Sequence, residues 1–75
     1  MFKKNNLVKE LHLLEEEIKI LEIKRSRSQA SLIEALISKR DPDEADMQFF
    51  RTYSAEIEIK REQLQKITAQ LEKML

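Results

Sequence analysis

Four carboxylates fall within six residues, at Asp41, Asp43, Glu44 and Asp46. Such an acidic tip could hold a cation or enter a basic groove. Its spacing matches no standard calcium loop, however, and the chain has no glycine to turn one. Helix chemistry gives the cluster a second reading. Asp41 is a good N-cap, Pro42 suits a first helical position, and Glu44 completes an Asp-x-x-Glu variant of the capping box. The remaining carboxylates oppose the positive end of the helix that follows, while Lys39 and Arg40 oppose the negative end of the one before. A second group, the basic band Lys24, Arg25, Arg27, Lys60 and Arg61, could receive acidic side chains or a phosphate backbone. Glu22, Glu56, Glu58 and Glu62 could instead neutralise it internally. His12, the single histidine, has no relay partner beside it and reads as an interface residue.

These residue types exclude most chemistry. Without cysteine there is no thiol nucleophile, disulfide or zinc-thiolate site, and one histidine cannot make a multi-histidine metal site. Without glycine there is no Walker or dinucleotide loop. No nucleophile is paired with a base, so no catalytic residue, cofactor or metal is expected. Fourteen basic residues balance fourteen acidic ones, leaving no global field to attract nucleic acid. No apolar run approaches the roughly 20 residues of a membrane span. Met1-Phe2-Lys3-Lys4 leads into Asn5-Asn6 rather than a signal-peptide core, so a cytoplasmic protein is expected.

The elements that position these groups are two long helices. In the first, from about residue 5 to 40, Leu7, Leu11, Leu14, Ile18 and Leu21 alternate steps of four and three, the signature of a coiled-coil seam. The register continues through Arg25, Ser28, Leu32 and Ala35, so a polar gap interrupts it. A second stripe, Ile23, Ser26, Ala30, Ile33 and Ile37, runs on the opposite side. Either the core switches faces at the gap, or the helix is apolar on two sides and must be covered on both. In the second helix, from about 42 to 75, the seam is Phe50, Tyr53, Ile57, Lys60, Leu64, Ile67, Leu71 and Met74. Its outer face is weakly apolar, with Ile59 the one large residue there.

A reversal at about residues 40–42 makes the whole of 1–75 an all-α, two-helix antiparallel coiled-coil hairpin. It pairs Leu64 with Leu21, Ile67 with Ile18, Leu71 with Leu14, Met74 with Leu11, Tyr53 with Leu32 and Phe50 with Ala35. The same register sets Arg25 against Lys60 and Lys24 against Arg61, like charges that need compensation. Two helices leave their seam partly wet. A second copy completing a four-helix bundle, or a helical protein partner, is therefore expected, with Ile23, Ala30, Ile33, Ile37 and Ile59 as the contact residues.

Asp41-Pro42, Gln48-Phe49-Phe50-Arg51 and Ser54-Ala55-Glu56-Ile57-Glu58 resemble the opening of the second helix in the small hairpin co-chaperones of type III secretion needle subunits. The resemblance covers about 20 of the 75 residues. It implies a hairpin that packs on a helical-repeat chaperone and shields an aggregation-prone needle subunit. The leading expectation is thus a non-enzymatic adaptor or co-chaperone. The acidic tip also looks like the coiled coil of transcript-cleavage factors and related regulators that enter the secondary channel of RNA polymerase. That resemblance would make Asp41, Asp43, Glu44 and Asp46 the working residues, although the second domain those proteins dock with is missing. A hairpin dimer binding RNA through the basic band, of the plasmid copy-number type, is a third reading.

Overall fold

The computed structural model describes residues 2–75; Met1, part of the expected 1–75 hairpin, lies outside the described residues. Two helices, α1 (Phe2–Ile37) and α2 (Glu44–Lys73), pack along their length as an antiparallel hairpin. No strand occurs among the described residues. The molecule measures 56 × 16 × 14 Å, and its long dimension is that of α1 itself, since 36 residues rising 1.5 Å each span about 54 Å.

The heptad seam is what the helices bury. Leu7, Ile18, Leu21, Ser28 and Ala35 of α1 are buried, and Leu11, Leu14, Arg25 and Leu32 are half-buried between them. On α2 only Ile57 is fully enclosed, at 1% exposure, and it packs with Ile18 and Leu21 beneath Tyr53 and Leu64. Enclosing one such side chain contributes about 1.5–3 kcal/mol. Phe50, Tyr53, Leu64, Ile67 and Leu71 stay half-buried, because a two-helix seam has open flanks.

The ends of the helices differ from expectation in a way that changes the register. α1 stops at Ile37, three residues short of Arg40, in a Schellman motif. Arg40 N–H donates to Ala35 O (2.8 Å), Lys39 N–H donates to Leu36 O (3.2 Å), and Lys39 takes the left-handed conformation with φ 57°. A chain without glycine has to place a residue bearing a Cβ there, at a cost of roughly 1–2 kcal/mol. α2 starts at Glu44 rather than Pro42, and its N-cap is Asp43 rather than Asp41. The Asp43 backbone is extended (φ −65°, ψ 128°), its Oδ1 accepts from Ala45 N–H at 3.0 Å, and its carbonyl accepts from Met47 N–H at 3.1 Å. Pro42 therefore precedes the cap, and the Asp41–Glu44 capping box does not form. Residues 40–43 lie outside both helices and cross the gap between helix axes, typically about 8–10 Å.

The reversal is thus centred near Arg40–Asp41, inside the expected span of residues 40–42, whereas the expected pairs call for a centre about two residues later. A shift of two residues at the turn becomes about four across the hairpin, roughly one helical turn. Leu14 and Glu17 accordingly lie across a groove from Ile67 and Lys60, and Ala35 lies beside Asp46. The expected alignment is displaced by that turn, with Lys60 at Glu17 in place of Arg25, although seam residues still face seam residues and Leu64 packs against the cluster that holds Leu21.

Two outcomes test this turn. Lys39→Gly should relieve the left-handed strain and raise stability by about 1 kcal/mol, moving Tm up by about 4–8 °C in a circular-dichroism melt. Asp43→Ala should cost about 1 kcal/mol while Asp41→Ala changes stability by less than about 0.5 kcal/mol. The reverse order would place the cap at Asp41.

Candidate functional site

Of the three groups singled out above, the acidic tip is largely consumed by the turn. Asp43 caps α2, and Glu44 and Asp46 stand in its first turn against the positive end of the helix. Asp41 is exposed, and it shares a polar depression with Ser31, Glu34, Arg40, Asp43 and Asp46. Among the described residues no three metal-ligating side chains converge there or elsewhere.

The basic band is divided by the register. Lys60 Nζ donates to Glu17 Oε2 at 2.6 Å with both side chains partly screened from water, and Arg61 Nη2 donates to Glu22 Oε1 at 3.3 Å. The expected opposition of Lys60 with Arg25 is therefore corrected. Glu17 stands eight residues from Arg25, about 12 Å along the helix, and takes that place. Lys24 likewise does not face Arg61, whose partner is Glu22. Glu22 was among the neutralising residues expected; Glu17 was not. As the last of three consecutive glutamates it reads as a solvated face, and only the observed register turns it inward. Arg25 is half-buried in the seam, and Lys24 and Arg27 are exposed without an ion-pair partner among the described residues. What remains is not a continuous cationic surface. His12 is exposed, with Nδ1 3.8 Å from Glu15 Oε1, one turn away.

The outward face of α1 is the third group. Ile23, Ile33 and Ile37 are 55%, 47% and 77% exposed, and Ala30 lies exposed between them. Ile23, Ser26, Arg27 and Ala30 line an open depression, shallow because serine and alanine carry so little side chain. Ile33 and Ile37 project just beyond it toward the turn. Small residues thus stand in the middle of the stripe with large ones beyond them toward the turn, on a helix whose opposite face is already committed to α2. Ile59, grouped with the stripe by its chemistry, stands on α2 beside a separate depression lined by Glu56, Lys60 and Gln63.

Three further exposed apolar side chains were not singled out from the pattern. Leu13, Ile20 and Leu36 of α1 are exposed because they fit neither three-four series. Phe49 of α2 is exposed too, and it stacks on Tyr53 one turn later, with ring centroids 6.1 Å apart and an interplanar angle of 19°. Leu13 and Ile20 extend the apolar character of α1 toward its N-terminus. The signal that finds all of these is burial, since every one is a large apolar residue off the seam.

No family model, curated protein or solved structure matches the chain. Among the described residues no helix is long and apolar enough to cross a membrane. The site therefore rests on geometry: a two-helix hairpin with one apolar helix face left open.

The Glu17–Lys60 pair makes the corrected register measurable. A double-mutant cycle on Glu17 and Lys60 should give a coupling of about 0.5–1 kcal/mol that shrinks in high salt, and none between Arg25 and Lys60. Replacing Lys60 by methionine together with Glu17 by glutamine should be neutral or stabilising, since the apolar stem stays packed and no charge is left without a partner.

Proposed function

We propose that this chain is a non-enzymatic coiled-coil interaction protein, an adaptor or co-chaperone of the cytoplasm that works by laying its first helix against another helix. One observation carries the reading. α1 is apolar on two opposite faces, and α2 covers only one, so Ile23, Ala30, Ile33 and Ile37 remain in water at coiled-coil spacing. Surface area supports it. The hairpin exposes 6191 Å², against roughly 4,800 Å² for a compact monomer of its 8.9 kDa mass. Part of that excess is the elongated shape, and an elongated hairpin with an apolar edge is the form in which helix-in-groove and helix-on-helix recognition operates.

Within this reading, the resemblance of residues 41–58 to the type III needle co-chaperones suggests the kind of system, with a helical protein as partner. The polymerase reading has less support, because Asp43, Glu44 and Asp46 are engaged in starting α2. The RNA reading has less as well, because Lys60 and Arg61 are paired internally.

The test is capture. Immobilised wild-type chain should retain its partner from a lysate of the source cell, and the variant with Ile33→Asp and Ile37→Asp should lose it, by more than about 100-fold in affinity. Neutralising Asp41, Glu44 and Asp46 together should leave capture intact. Undiminished binding by the isoleucine variant would remove the outward face of α1 as the docking surface.

A further inference from the structure

The outward face of α1 is complementary to itself, and we infer that its occupant is a second copy of this chain, docked antiparallel so that Ile33 and Ile37 of each copy fill the depression at Ser26 and Ala30 of the other. The inference rests on the reading of that face as a docking surface and names its partner.

The argument starts from size. In an antiparallel coiled coil a residue of one heptad row packs across from the other row of its neighbour. Around a two-fold axis between Ser31 and Leu32, Ala30 comes opposite Ile33 of the second copy and Ser26 opposite Ile37. Both of these layers then set a small residue against a large one, each twice by symmetry. The depression lined by Ser26 and Ala30 is the hole, and the exposed Ile33 and Ile37 are the knobs. Such an arrangement lets the axes approach to the near end of the usual 8–10 Å range. An isologous contact of this kind closes as a dimer and does not propagate.

Charge makes the second, independent point. Arg27 and Glu34 lie seven residues apart on the same flank of the stripe. Both are exposed, and neither makes an ion pair within the chain among the described residues. The antiparallel register that matches small with large also brings Arg27 of each copy beside Glu34 of the other, giving two symmetric pairs at the flank position that sets orientation in coiled coils. A parallel arrangement in register would instead set Arg27 beside Glu22 of the other copy, which already bonds Arg61, and Glu34 beside Gln29, so the Arg27–Glu34 pair would not form. Exposed Leu36 falls on the other flank and is covered by the same contact. The overlap involves only the turn-proximal half of α1, so the two hairpins extend in opposite directions to an overall length of about 90 Å.

Sedimentation equilibrium and small-angle scattering on the full chain test the proposal. A concentration-dependent mass approaching twice 8.9 kDa, with a maximum dimension near 90 Å, is the expected result. A dimer no longer than about 60 Å would be hairpins stacked side by side along the single-hairpin length of 56 Å, and would overturn it. Arg27→Glu and Glu34→Arg should each weaken the dimer at least about tenfold, and the double variant should restore it, with helicity by circular dichroism unchanged in all three. Loss without restoration overturns the antiparallel register. A chain that stays monomeric at roughly millimolar concentration, yet still loses lysate capture on Ile33→Asp and Ile37→Asp, overturns the second copy as occupant and leaves the docking face standing.

Discussion

Everything in this hairpin depends on where the chain reverses. The reversal is set by two backbone devices rather than by side-chain packing: the left-handed residue Lys39, which closes α1 through the bonds to Ala35 and Leu36, and the cap of Asp43, which opens α2. Between them they leave six residues outside the helices. The midpoint of that connection determines which residue of α2 meets which residue of α1 along about 50 Å of contact. An apolar seam cannot make that choice strongly. A slide of one turn carries leucine past leucine and costs little, whereas a cap is either formed or not.

The polar layer follows from this choice. Lys60 interrupts an apolar series, and a lysine inside a seam is tolerated only when its charge has an acceptor or its head reaches water. The observed register gives it Glu17, and gives Arg61 Glu22. With the expected register the same side chains would have faced Arg25 and Lys24, and the hairpin would have carried a repulsive layer at its middle. Such a layer contributes little net stability, since exposed and half-exposed pairs are worth at most about 1 kcal/mol. Its role is to disfavour the slide that the apolar residues permit, as single polar layers do in coiled coils. The turn and the polar layer therefore specify the same alignment, one from the tip of the hairpin and the other from its middle.

The outward face of α1 is the counterpart of that packing. The sequence carries a second apolar stripe on the far side of the helix, where Ile23, Ile33 and Ile37 stand in water. A hairpin of this size has little else to bury them against. The fold alone leaves that face open, and the occupant proposed for it closes the apolar surface without adding any new element.

The amino-acid sequence by itself determined the fold class, the two helices and the composition of both seams apart from Met74, which is exposed past the end of α2, because hydrophobic periodicity is a local property that a helix of either register satisfies. The outward stripe was legible for the same reason. The acidic tip was legible as helix-starting chemistry, but not which aspartate performs it, since Asp41 and Asp43 are both good caps beside one proline. Only the tertiary structure decided that Asp43 caps, that Lys39 turns left-handed, and that Lys60 bonds Glu17 in place of facing Arg25. The physical reason is that a heptad pattern is nearly unchanged by a shift of one turn. Alignment between helices therefore comes from the geometry of the connection and from charge pairs that form only after the arms have met.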